Sequence, residues 1–291
     1  MARCDPYSLA TRVAEDLVRD ELGIVRLEDI DPKAIAEGRG IRVEAMPEDY
    51  AGVSGMLAKH KDDFLIGYNV CIKSVGFQRF CIGHELGHYF LEGHVDELLP
   101  LGQEAHVSRG GFVSDNRFER EADHFAAGLL MPAFLFRSAM SRAGEGLDAI
   151  QALRKQCRTS LPATAIRFQE LTDEAVAVIQ SVRGRVEFCC MSDRMLELKP
   201  GRWPTKGDAL PRSTGAAALH AAPKRIKDNE RIDREASGDD WFDTFHDVEL
   251  FEETVGMGEY GRTITVLTTV DALPDDDVDE TDGNWSRSTK R

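Results

Sequence analysis

Phe80-Cys81-Ile82-Gly83-His84-Glu85-Leu86-Gly87-His88-Tyr89-Phe90 contains the pattern His-Glu-x-x-His, and the chain on both sides is best read from it. Residues four apart on an α-helix project the same way, so His84 and His88 can share one metal ion. Phe77, Cys81 and Leu91 fall on that same face, which sets the imidazoles on a packed side of the helix, away from bulk water. Glu85 stands beside them. In the chemistry attached to this pattern, zinc lowers the pKa of its water and polarises a carbonyl, while the Glu moves the water's proton to the leaving amine. The expected reaction is peptide-bond hydrolysis. The competing reading is an amphipathic helix with two incidental histidines; the metal reading requires a third ligand.

A second helix is expected over residues 117–131, where Phe118, Ala122, Phe125, Ala126 and Leu129 form one apolar stripe and Pro132 ends the pattern. Glu119 and Glu121 lie on opposite flanks of that stripe, and periodicity does not choose between them. Asp123 favours Glu119, because it lies on the same flank and can accept a hydrogen bond from a metal-bound His and fix its tautomer. His94 is a rival, ten residues after His84, the offset of the third His in His-Glu-x-x-His-x-x-Gly-x-x-His enzymes. Position 91, where that pattern needs Gly, is Leu, although Gly93 is near. With any of the three, zinc keeps an open position for water, and manganese is an alternative ion.

At 291 residues with 42% hydrophobic content, the chain can build a core and hold two domains of ordinary size. A net charge of −15 disfavours non-specific binding to nucleic acid or anionic membrane. The start Met-Ala-Arg-Cys-Asp-Pro lacks a signal peptide's apolar run, and no apolar stretch reaches about 18 residues, so a soluble, cytoplasmic protein is expected. Cys4, Cys71, Cys81, Cys157, Cys189 and Cys190 form no C-x-x-C pair, which suits reduced thiols without disulfides. Cys81, one turn before His84, reads as a small packing residue rather than a ligand.

Taken in order, residues 8–22 place Leu9, Val13, Leu17 and Leu22 at helical spacing, with Ser8 as N-cap and Gly23 as the stop. A short helix is expected at 31–37. Strands follow at 41–46, 52–59 and 63–70, the last two joined by a polar turn at 60–62. The edge of Phe64–Asn69 is a candidate platform for an extended peptide, against the plainer reading of a structural hairpin. Residues 92–116, with His94 and His106, read as a long loop. Tyr68, His106 and His124 are candidates for stabilising an oxyanion.

Beyond Pro132, helices are expected at 132–141, 147–156 and 162–171, the last capped by Ser160. Arg137, Arg142, Arg154, Lys155, Arg158 and Arg167 make this part locally basic. A packing bundle is the preferred reading over a DNA-reading module. Strands are expected at 175–182, 186–191, 248–255 and 263–270, with a Gly/Pro-rich stretch at 200–211 and an aromatic one at 241–245. Residues 222–240, alternating in charge, read as an exposed connection. Cys189, Cys190 and His246 read as buried strand residues before any redox or metal role. An acidic tail starts near Asp271.

The chain resembles the ImmA/IrrE family of metallo-endopeptidases. The resemblance rests on Arg79-Phe80-Cys-Ile-Gly-His84-Glu85-Leu-Gly-His88-Tyr-Phe-Leu and on the more specific run Glu119-Arg-Glu-Ala-Asp123-His-Phe-Ala-Ala-Gly-Leu-Leu-Met-Pro132, in which Asp123 replaces the commoner Asn. It covers residues 8–135 well and the remainder less so. It implies that His84, His88 and Glu119 bind zinc, with Glu85 as general base and Asp123 behind the ligands. The expected fold is α+β: a small zincin-like, gluzincin-like peptidase domain (1–132), a helical segment that is helix-turn-helix-like in related proteins (133–172), a mixed α/β sensor-like domain of PAS or GAF type (173–270) and a disordered tail (271–291). By resemblance, the partner is a regulatory protein, a helix-turn-helix repressor cleaved in a stress or mobile-element response; DNA binding is not favoured and no membrane is expected. The alternative is a sensor or transcription regulator whose zinc module is structural. Glu85 favours the peptidase, since a structural site needs no general base.

Overall fold

The computed structural model describes residues 6–47, 52–100, 103–108, 116–243 and 248–270. The expected tail, His246 and Cys4 lie outside them. Helix α1 (Pro6–Asp16) continues as a π-helical turn over Leu17–Glu21, and Ser8 lies inside it instead of capping it. In α2 (Pro32–Gly38), the Asp31 side chain accepts from the Lys33 amide, and Pro32 occupies the first turn, where no donor is required. Three strands follow, β1 (Arg42–Ala45), β2 (Gly55–His60) and β3 (Asp63–Tyr68).

Next comes α3 (Val75–Phe90), capped by Ser74 and carrying His84, Glu85 and His88. All residues from Cys81 to His88 are buried, so this stretch has no solvent face. Residues 92–116, expected as a loop, hold α4 (His94–Leu98) and β4 (Ala105–Ser108). β4 has only four residues; its pairing with β2, from Gly55–Ser108 to Ala58–Ala105, makes it a strand rather than any pattern of its own. The first sheet has the order β1-β3-β2-β4, with β1 parallel to β3 and the other pairs antiparallel. Phe64–Asn69, weighed as a peptide platform against a structural hairpin, is enclosed, because β1 lies along its other side; among the described strands the edges belong to β1 and β4.

Helix α5 (Arg117–Leu130), capped by Asn116, packs against α1 and α3. Gly83 and Gly87 set how close α3 and α5 come. A methyl at Gly83 would lie 3.4 Å from Ala126 Cβ, and one at Gly87 only 3.0 Å from Ala122 Cα. Glu85, on the other side of α3, faces β2.

Helices α6 (Ala133–Met140), α7 (Gly146–Cys157) and α8 (Leu161–Leu171) follow. A recognition helix must keep one face bare for a DNA groove, but in α8 only Glu170 is exposed. Arg167 of α8 is itself buried, donating to Met131 O at 3.0 Å and to Glu15 Oε1 at 2.7 Å, which leaves 162–171 as a packing helix.

Strands β5 (Val176–Val182) and β6 (Arg185–Met191) lead to α9 (Asp193–Glu197), α10 (Gly215–His220) and α11 (Pro223–Lys227). Then come β7 (Arg231–Ser237), β8 (Glu249–Gly256) and β9 (Arg262–Thr269), in an antiparallel sheet of order β6-β5-β9-β8-β7. Residues 222–240 are thus a helix and an edge strand, not a mere connection. An edge strand faces water along one side, and its alternating charges conceal it in the sequence. Val176, Val178, Ile264 and Val266 join the core that runs through α1, α3, α5 and α8; Ile179, Leu250, Leu267 and Trp241 form a second core on the sheet's other face. Among the described residues, no helix is long and apolar enough to cross a membrane, and the five cysteines are free.

Gly87→Val forces a branched side chain against the α5 backbone. We expect a loss of about 1–3 kcal/mol, read as a lower urea midpoint; an unchanged midpoint would overturn the close-contact account.

Candidate metal centre

His84 and His88 stand one turn apart on α3 with both Nε2 atoms aimed at one point, 3.0 Å from each other. Glu119, in the first turn of α5, reaches the same point: Oε2 lies 3.3 Å from His84 Nε2 and Oε1 3.4 Å from His88 Nε2. Donors about 2.0–2.1 Å from a tetrahedral centre stand roughly 3.3 Å apart, so the two imidazoles and the carboxylate have the chemistry and spacing to hold an ion such as zinc. These are the residues whose donor atoms converge within 4.8 Å among the described residues.

The far side of each imidazole is also occupied. His84 Nδ1 meets Asp123 Oδ1 at 2.8 Å, and His88 Nδ1 meets His94 Nδ1 at 3.0 Å. His94 Nε2 in turn lies 3.0 Å from Glu121 Oε2, and Arg117 Nε donates to Glu121 Oε1 at 2.6 Å. The structure therefore sets His94 and Glu121, the rival ligands, behind the convergence point instead of within it.

Electrostatics divides the two imidazoles. Burial works against a charge on His84, but hydrogen bonds to Asp123 and Glu119 outweigh it and push its pKa up to about 10. Burial and the neighbouring His84 charge hold His88 down at about 3 despite Glu119. For Glu119, burial favours the neutral acid, yet hydrogen bonds to His106, His84 and His88 hold it well below the carboxylate range. Burial pushes the Cys81 thiol up, far from the thiolate that a metal would need.

Glu85 is fully buried, and among the described residues neither carboxylate oxygen has a hydrogen-bond partner of good geometry. Burial raises its pKa to about 7, against the pull of His84, the Ser108 hydroxyl and His106. Room for this carboxylate comes from Gly55, where a methyl would land on Glu85 Oε1. Gly55 pairs with Tyr68 on one side and Ser108 on the other, so a cross-strand row faces Glu85. Ser108 is also buried, and among the described residues its hydroxyl has no hydrogen-bond partner of good geometry.

Of the oxyanion candidates, His106 on β4 comes to the site, with Nε2 2.9 Å from Glu119 Oε1 and its ring 5.1 Å from that of His88. His124 does not; its ring stacks on Tyr7 of α1 at 5.0 Å. Tyr68 lies in the row facing Glu85. Sequence reasoning missed Gly55 and Ser108, and nothing local announces them, since their place depends on strand pairing. It also missed the part played by His94, whose proximity to His88 was the available signal.

Residues 36–169 match the family described as Peptidase M78, IrrE N-terminal-like domain. A solved structure of a Mycobacterium tuberculosis transcriptional regulator is similar at 14% identity, over 91% of this chain and 82% of that one, with a TM-score of 0.54. At that identity the likeness concerns the fold alone. No curated protein matches the chain.

Hydrogen bonds to Asp123 and Glu119 favour the protonated form of His84, and a metal ion would displace that proton, so zinc affinity should rise with pH. The dissociation constant should fall by about tenfold per pH unit for one released proton between pH 6 and 8; a flat profile in a chelator competition would refute this. Zinc content after dialysis should drop much further in Glu119→Ala than in Glu121→Ala, and equal retention would reverse the ligand assignment.

Proposed function

Because residues 36–169 match the IrrE N-terminal-like domain family, we propose that the chain is a zinc-dependent endopeptidase that cuts a regulatory protein. The observation that carries this reading is the Glu85 carboxylate, buried and, among the described residues, without a hydrogen-bond partner of good geometry, beside three side chains that could hold a metal ion. Leaving a carboxylate unsatisfied in the interior costs stability. A metal site that only holds a fold gains nothing from that cost; a hydrolase gains a base tuned near neutral pH.

In this reading His84, His88 and Glu119 hold the ion, and Asp123 fixes the His84 ring. Zinc, when bound, lowers the pKa of its water and polarises the scissile carbonyl. Glu85 takes a proton from the attacking water and passes it to the leaving amine nitrogen. His106, half-buried and in contact with Glu119, is placed to support the developing oxyanion. The outer edge of β4, which pairs with no further strand among the described residues, offers backbone groups to an extended peptide.

The substrate we propose, following the family resemblance, is a helix-turn-helix repressor in the cytoplasm. The segments 1–132, 133–172 and 173–270 then act as peptidase, packing bundle and sensor-like domain of PAS or GAF type. A second reading, a transcription regulator that works by binding and whose metal is structural, draws on the regulator with a similar fold.

Incubation with zinc and a candidate helix-turn-helix repressor separates the two readings. Glu85→Gln should bind zinc normally and cleave about 10²–10⁴-fold more slowly. Cleavage at the wild-type rate would remove Glu85 from the mechanism, and regulation in cells that survives Glu85→Gln would favour the second reading. Gly55→Ala, which displaces Glu85 without touching a ligand, should likewise keep zinc and lose cleavage; full activity would show that the Gly55 slot is dispensable.

A further inference from the structure

We infer that His94 and Glu121 are positioning residues, forming a relay that holds His88 in the tautomer and orientation required for its Nε2 to bind metal. This rests on the metal reading above and goes beyond it, because neither residue is itself a ligand. His88, His94 and Glu121 are all buried, at 0%, 1% and 6% exposure, so water does not stand in for any of them.

Hydrogen positions follow from one premise. If His88 Nε2 binds the ion, it carries no proton, and the neutral ring carries its proton on Nδ1. That N–H faces His94 Nδ1 at 3.0 Å, which must then be the bare, accepting nitrogen. A neutral His94 accordingly carries its proton on Nε2 and donates it to Glu121 Oε2 at 3.0 Å. Glu121, accepting only, is fixed from its other oxygen by Arg117. Every contact in the series has one donor and one acceptor. A carboxylate behind a ligating imidazole orients the ring and strengthens it as a ligand. His84 has that support directly from Asp123, whereas His88 receives it from Glu121 through an intervening ring.

The chain path explains why His94 supports instead of ligating. Leu91 at the end of α3 has an extended backbone, and the turn falls at Gly93, where φ is 80°. The reversal comes two residues later than the spacing Gly-x-x-His would set, and it brings His94 behind His88 rather than beside it. The His94 ring is further held edge-on against Phe118, with centroids 5.0 Å apart.

The test is a zinc titration of the full chain against a competing chelator at fixed pH, with folding followed by circular dichroism. His94→Leu should weaken zinc binding by about 10–100-fold. His94→Gln, whose amide oxygen can accept from His88 and whose amide nitrogen can donate to Glu121, should recover most of that loss. Nitrogen-15 spectra of the zinc-loaded wild type should show His94 protonated at Nε2 and bare at Nδ1, and this result stands even if His94→Leu fails to fold. The relay is overturned by wild-type affinity in a folded His94→Leu, by a His94→Gln as weak as His94→Leu, or by a His94 proton on Nδ1. A wild type that binds no zinc overturns both this inference and the proposed function; a wild type that binds zinc while His94→Leu is unimpaired overturns the relay alone.

Discussion

Where α3 crosses α5, two glycines on one helix meet two alanines on the other, and the convergence of the candidate metal donors depends on that crossing. With no Cβ at Gly83 and Gly87, the α3 backbone settles against Ala122 and Ala126. Glu119 lies in the first turn of α5, three residues before Ala122, so the close approach carries its carboxylate to the two Nε2 atoms of α3. Larger residues would separate the helices, and a displacement of an ångström is enough to spoil a tetrahedral donor set. The glycines cost helix stability in isolation, which the buried packing of α3 between the sheet and α5 offsets.

Around that crossing the buried polar groups answer one another almost completely. His84 lies between Asp123 and Glu119, His88 between Glu119 and His94, and His94 between His88 and Glu121. Glu85 and the Ser108 hydroxyl are the exceptions, the Glu85 carboxylate turned toward Gly55 and, among the described residues, without a partner of good geometry. Buried unpaired carboxylates are costly, and their presence beside other titratable groups points to use.

The second half of the chain is joined to this site by packing and specific bonds. Gly76, at the start of α3, leaves no room for a side chain against the backbone of Thr159 and Ser160, between α7 and α8. Buried Arg79 of α3 donates to Ile30 O at 2.6 Å, tying the same helix to the segment before α2. Glu253 of β8 accepts from the Leu147 amide at 2.9 Å and pairs with Arg231, fastening the second sheet to the first turn of α7. The sheet and the metal-site helix therefore share a continuous core.

The sequence by itself determined much of the site on α3 and α5. His84 and His88 share a face because of helical periodicity, and Glu119 with Asp123 shares one flank of α5 for the same reason. Periodicity also located most helices, since repeating apolar positions are local information. Tertiary structure decided everything that depended on pairing. β3 was enclosed because β1 runs parallel beside it, β4 became a strand only through its bonds to β2, and β7 emerged from a charged stretch because an edge strand faces water on one side. It likewise decided that α8 has no bare face for DNA and that His94 stands behind His88. A helix makes its hydrogen bonds within itself and so shows its period in the sequence; a short strand or a supporting side chain takes its role from a distant partner.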